Sequence, residues 1–275
     1  HPSAMRMSRI TTTLDRLRTE GRKALVPFIT AGDPHPDYTV GFMHALVRGG
    51  ADILELGVPF SDPMADGPVI QKACERALRA GTSLRGILEL VRQFRAEDSE
   101  TPVVLMGYLN PIDAFGLDAF GEAARDAGVD GVLVVDLSIE EAPETAPQLR
   151  GYGLDCIFLL APTSTPARME AVAAYGSGYV YYVSLKGVTG SSQLDPEDVA
   201  EHVREIRAHL ALPVAVGFGV RDAQSAQAVG RCADGVIVGS ALVQRVAELA
   251  ETPESIPEVL ESTARALRDG LDALA

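Results

Sequence analysis

Ala51-Asp-Ile-Leu-Glu-Leu-Gly57 is apolar apart from two acids and runs straight into Val58-Pro-Phe-Ser-Asp-Pro-Met-Ala-Asp-Gly-Pro68. The first part reads as a strand buried on both faces, the kind a parallel sheet requires. Side chains alternate along a strand, so Ile53 and Glu55 share one face while Leu54 and Leu56 share the other. Glu55 therefore stands in an otherwise apolar stretch, just ahead of a Gly- and Pro-rich loop that carries Asp66. A carboxylate placed there loses hydration and must find a partner or hold its proton.

Seven further β-rich runs surround this one. The pattern predicts strands over residues 26–30, 52–57, 102–108, 131–136, 154–160, 178–184, 213–218 and 235–238. Helical patterning fills the gaps at 37–48, 69–95, 117–127, 196–209 and 223–229, and the closing segment 255–275 is amphipathic. Strict alternation implies a parallel sheet, and eight units of about 30 residues match a (β/α)8 TIM barrel. Gly49-Gly-Ala-Asp52, Ala127-Gly-Val-Asp130 and Arg231-Cys-Ala-Asp234 each precede a strand, a weak internal repeat. The long stretch between the second and third strands predicts an extra helix. We expect a single barrel domain over 7–275, with 1–6 a cloning scar or a disordered N-terminus ahead of a start at Met5 or Met7. An open doubly wound sheet is the competing fold. It would carry a Gly-rich fingerprint after its first strand, where this chain has Ala31-Gly-Asp-Pro-His-Pro36.

Composition narrows the function. The chain has 275 residues and a formal charge of −14, with an isoelectric point near 4.8, which disfavours generic attraction to nucleic acid or anionic membrane. The three cysteines, Cys74, Cys156 and Cys232, show no metal-like spacing and suit a reducing cytoplasm. No histidine sits at a strand end with a second ligand nearby, so no metal site is expected. Asp62 and Asp66 lack the spacing of a calcium loop.

A barrel enzyme works at the C-terminal ends of its strands. Residues expected there include Phe28, Glu55, Asp66, Tyr108, Asn110, Asp136, Tyr181 and Ser184. Glycines follow both of the last two strands, at Gly217-Phe-Gly219 and Gly239-Ser240, and the second pair opens a helix whose N-terminus favours an anion. That is where barrels commonly hold a phosphate. Competing readings stay open at this stage. Glu55 can be the ion-pair partner of an interior Arg, the glycines plain turn formers, and the aromatics ordinary core. Lys186 is the one lysine placed for Schiff-base chemistry.

Taken together, Glu55 to Pro68, Pro27-Phe-Ile-Thr-Ala-Gly-Asp-Pro34, Met106-Gly-Tyr-Leu-Asn-Pro111, Leu160-Ala-Pro-Thr-Ser-Thr-Pro166, Gly187-Val-Thr-Gly190 and Gly217-Phe-Gly219 resemble the α subunit of tryptophan synthase. The likeness spans nearly the whole chain. It implies a carbon–carbon lyase that cleaves indole-3-glycerol phosphate to indole and glyceraldehyde 3-phosphate. By resemblance, Glu55 is the general acid–base and Asp66 the partner of the indole N–H. Phe28, Tyr108, Tyr181 and Phe218 wall the ring and glycerol chain, while Gly190, Gly219, Gly239 and Ser240 cradle the phosphate. Thr189 closes over the site and contacts Asp66. The resemblance also implies an α2β2 heterotetramer in the cytoplasm, with Pro59, Ser61, Asp62, Pro63, Asn110 and Pro111 facing the β subunit. No cofactor is expected in this chain, and pyridoxal phosphate belongs to the partner.

Overall fold

In the computed structural model, residues 7–184, 195–217 and 219–275 are described. Eight parallel strands close into a barrel in the order of the chain: β1 (Ala24–Thr30), β2 (Leu54–Gly57), β3 (Val103–Gly107), β4 (Gly131–Val134), β5 (Asp155–Leu160), β6 (Val180–Val183), β7 (Val214–Gly217) and β8 (Gly235–Val238). The predicted strands all exist, each trimmed by up to two residues an end or, for β1, extended by two. The open-sheet alternative is excluded by the pairing of β1 with β8.

Alternation sorts the strand side chains into two cores. Val26, Ile53, Val104, Leu133, Ile157, Tyr179, Ala215 and Ile237 fill the barrel interior. Leu25, Leu54, Leu56, Leu105, Val132 and their counterparts face the helical shell. The parity of Ile53 carries Glu55 inward, and register sets Phe28 beside Glu55 and Glu55 beside Val104.

Several helices lie outside the segments named from the sequence, and the one ahead of the first strand matters most for the barrel. α1 (Arg9–Thr19) is capped by Ser8, whose hydroxyl accepts from the Thr11 amide. It turns Ile10, Leu14 and Leu17 into the interior cluster and so stoppers the N-terminal end of the barrel. The outer helices flanking the early strands are α2 (Pro36–Arg48), α3 (Pro68–Arg79), α4 (Leu84–Arg95), α5 (Leu109–Phe115) and α6 (Leu117–Ala127). The helical stretch read over 69–95 is thus two helices, which supplies the extra one. Gly81, at φ 88°, breaks the chain, and the Ser83 hydroxyl restarts it by accepting from the Gly86 amide. The shell is completed by α7 (Ala142–Gly151), α8 (Pro166–Tyr175), α9 (Pro196–His209), α10 (Ala223–Gly230), α11 (Ser240–Glu248) and α12 (Ile256–Asp272).

The weak repeat has a physical meaning at the N-terminal ends of the strands. Asp52 accepts from the Leu25 amide, Asp130 from Val103 and Asp234 from Val214, each at 2.8 Å. Every one stands just ahead of an even strand and grips the odd strand before it. The fourth member is Ser177, whose hydroxyl accepts from the Cys156 amide at 2.8 Å. Serine in place of aspartate hid it from the sequence reading. Each aspartate also pairs with an arginine: Asp52 with Arg268, Asp130 with Arg95 and Arg9, Asp234 with Arg207.

Candidate active site

Glu55 ends up 1% exposed inside the barrel. One carboxylate oxygen, Oε2, accepts from the Tyr179 hydroxyl at 2.6 Å; the other, Oε1, is buried with no partner among the described residues. Among the described residues no cation pairs with it, so no interior Arg there takes Glu55 as a structural ion-pair member. Burial without a counter-charge penalises the anion, and the Tyr179 hydrogen bond only partly offsets this, so the Glu55 pKa rises to about 7. A carboxyl tuned to neutrality both gives and takes a proton at working pH.

Phe28 and Tyr181 reach this acid because two neighbours lack side chains. A Cβ added at Gly57 would lie 2.5 Å from the Phe28 ring, and one at Gly217 would lie 2.5 Å from the Tyr181 hydroxyl. Burial and the nearby charges of Glu55 and Asp66 hold the Tyr181 phenol far above its ordinary pKa, so it stays protonated.

Asp66 is half-buried at the end of the loop that links β2 to α3. Tyr108 organises that loop. Its hydroxyl accepts from the Ala65 amide at 3.0 Å and donates to Asp66 Oδ2 at 3.2 Å, while its ring lies 5.3 Å from that of Phe60. The Gln71 amide nitrogen, one turn into α3, donates to the Asp66 carbonyl at 2.6 Å. Burial raises the Asp66 pKa and the Tyr108 hydroxyl opposes the rise. Phe28, Asp66 and Tyr108 line one narrow cavity together with Thr30, Ile70 and Met106.

At the far end of the strands, Gly239 begins α11 with no side-chain cap, so its first-turn amides lack a side-chain acceptor. Ser240 and Gly219 are exposed there, with Gly219 at φ 83°. Thr189, Gly190 and Phe218, together with Lys186, lie outside the described residues. The residues expected at a partner interface divide. Ser61, Asp62 and Asn110 are exposed and Pro63 and Pro111 partly so, but Pro59 is buried beneath its loop. Ser61, Asp62 and Pro63 border a surface cleft of about 550 Å³ beside Met64, which is 83% exposed. Asp136 does not face the cavity. It is exposed, and its Oδ1 accepts from the Leu109 amide at the start of α5. No group of His, Cys, Asp and Glu among the described residues is arranged to hold a metal ion.

Sequence reasoning passed over Tyr179, Gln71 and Thr30. Tyr179 was within reach, since it shares strand parity with Tyr181 and hence the interior face. Gln71 and Thr30 carried no signal beyond their neighbours.

The family model described as tryptophan synthase alpha chain matches residues 14–272. A tryptophan synthase alpha chain from Marinobacter nauticus is 58% identical over 269 residues, covering 98% of this chain and 100% of the relative. One from Nitrosococcus oceani is 59% identical over 267 residues, covering 97% and 98%. The crystal structure of tryptophan synthase subunit alpha from Legionella pneumophila superposes with a TM-score of 0.92 at 44% identity, covering 98% of this chain and all of that one.

Proposed function

The chain belongs to the tryptophan synthase alpha chain family, and from that premise we propose that Glu55 and Asp66 carry its reaction. That reaction, catalysed by this carbon–carbon lyase, cleaves indole-3-glycerol phosphate to indole and glyceraldehyde 3-phosphate in tryptophan biosynthesis. The chain carries no cofactor, and pyridoxal phosphate resides in the β subunit with which alpha chains of this family pair.

The bond to be broken joins indole C3 to the glycerol chain. Its electron pair needs a sink, and the ring supplies one once C3 is protonated. In our reading Glu55 delivers that proton, the ring nitrogen takes up the positive charge, and Asp66 stabilises its N–H. The adjacent glycerol hydroxyl then returns its proton to Glu55 as the C–C bond breaks. Its oxygen becomes the aldehyde oxygen, and the bonding electrons restore the aromatic ring. No proton is gained or lost overall. The observation that supports this most is the half-satisfied carboxyl of Glu55: Tyr179 orients one oxygen and leaves the other open.

Phe28, Tyr108, Tyr181 and Phe218 are the assigned walls, and Gly190, Gly219, Gly239, Ser240 and Thr189 hold and cover the phosphate end. Uncapped amides at α11 support the cradle without any basic side chain. We assign Ser61, Asp62 and Pro63 with Asn110 and Pro111 to the β-subunit face, and Pro59 to shaping that loop from beneath. Among the described residues no helix is long and apolar enough to cross a membrane, and as a biosynthetic lyase we place the enzyme in the cytoplasm.

The test is to purify Glu55→Gln and Asp66→Asn variants and assay indole release with the β subunit present. Both lose most turnover while retaining affinity for a phosphate-bearing substrate analogue. Normal release by Glu55→Gln removes the assignment.

A further inference from the structure

The two carboxylates assigned above sit on different supports, and one buried ion pair ties those supports together. Glu55 belongs to β2. The turn after β1 is fastened to that strand, because the Ala31 amide donates to the Gly57 carbonyl at 2.9 Å, two residues beyond Glu55. The same turn is stiffened by the Thr39 hydroxyl, which accepts from the Gly32 amide, and by the Asp33 amide donating to the Thr30 carbonyl. Asp33 therefore reports the position of the barrel wall that carries Glu55.

Asp66 travels with α3. It directly precedes Gly67, the N-cap of that helix, and the Gln71 side chain holds its carbonyl. Beyond its first turn, α3 has few large side chains to fix its register. Its buried residues are Ala73, Cys74 and Ala77, all small, whereas α4 buries Ile87, Leu88, Leu90, Val91 and Phe94. The larger apolar contacts of α3, Val69 and Ile70 against Phe28, lie in the first turn and are only partly buried, so the rest of the helix interlocks little with the wall.

What pins it is Arg76. Its guanidinium meets Asp33 in a two-pronged contact, Nε to Oδ1 at 2.7 Å and Nη2 to Oδ2 at 3.0 Å, with Asp33 only 2% exposed. A planar fork against a carboxylate defines orientation as well as distance. A pair so desolvated adds little net stability compared with apolar packing.

We propose that Arg76 and Asp33 are positioning residues for the cleavage reaction, their ion pair fixing α3, and with it Asp66, relative to Glu55. The proposal rests on the roles given above to Glu55 and Asp66. It predicts a loss that passes through Asp66 and not through general unfolding.

The measurement is steady-state cleavage of indole-3-glycerol phosphate by the complex with the β subunit, for Arg76→Lys alone and in an Asp66→Asn background. Lysine keeps the charge and loses the fork. We expect kcat to fall about 10- to 100-fold with KM little changed, the scale of a misplaced catalytic group, and the melting temperature to stay near that of the parent. In the Asp66→Asn background the same change should cost nothing further. If Arg76→Lys does not fold, the neutral pair Asp33→Asn/Arg76→Gln serves instead, with the same expected loss. Wild-type kcat in the folded variant, or an undiminished loss in the Asp66→Asn background, overturns the proposal alone. Wild-type turnover by Asp66→Asn itself overturns the role of Asp66, and the proposal with it.

Discussion

Three paired aspartates at the N-terminal end of this barrel and Glu55 at the other end are treated in opposite ways. At the N-terminal end, Asp52, Asp130 and Asp234 each accept from a strand amide and each meet an arginine. At the C-terminal end, Glu55 has a single hydrogen bond from Tyr179, an open oxygen, and no cation among the described residues. The N-terminal aspartates fasten odd strands to even ones, so removing one leaves stranded partners. Glu55 holds no strand amide among the described residues, and burial, partly offset by the Tyr179 hydrogen bond, sets its chemistry. In the reading proposed above, the paired aspartates fasten structure, as Asp33 does with Arg76 near the C-terminal end, and the unpaired Glu55 is the reactive carboxyl.

The sharpest way to break that contrast is Glu55→Gln. It preserves shape and the Tyr179 partnership but removes the proton, so kcat for indole release should drop by roughly 10²–10⁴, read in a coupled or direct indole assay. Asp130→Ala is the mirror experiment. It strands Arg95 and the Val103 amide, and urea unfolding should show a loss of about 3–5 kcal/mol, with kcat unchanged wherever the protein remains folded.

A third test uses pH. The Glu55 pKa is raised from 4.5 to about 7 in the fold, so the native state holds a proton that the unfolded chain has released. Stability contributed by this group is complete below pH 4.5, declines as pH rises toward 7, and is lost above it. Glu55→Gln should therefore unfold like the parent near pH 4.5 and be more stable by about 3 kcal/mol at pH 8. A stability gap that does not grow with pH contradicts the dry, unpaired site. The smallest effect belongs to Tyr108→Phe, which frees the Ala65 amide and one oxygen of Asp66. A cost of about 1 kcal/mol in transition-state stabilisation, some five- to tenfold in kcat/KM, is expected.

Much of this is legible in the sequence. Alternation alone assigned Glu55 and Ile53 to one face, and that face is the interior. The Gly-Gly-Ala-Asp repeat marked three of the four clamps, because aspartate before a buried strand is conspicuous. Ser177 was invisible, since a serine before a strand carries no such signal. The chain also concealed α1, whose apolar residues Ile10, Leu14 and Leu17 are too few to declare which surface they cover. Likewise, nothing in the spacing of Asp33 and Arg76, 43 residues apart, announces a buried pair. The positions of Glu55, Asp66, Phe28 and Tyr108 followed from strand ends and loops. Burial of Pro59 and exposure of Asp136 depend on how those loops fold back, which tertiary packing decides.

The most direct trial is to titrate Glu55 itself, following the δ-carbon of isotopically labelled glutamate by NMR and assigning the resonance by its disappearance in Glu55→Gln. A midpoint near pH 7 is the result predicted here. A midpoint in the ordinary range, about 4.3, would mean that the interior carboxyl is solvated or paired, and that it is no neutral-pH proton carrier.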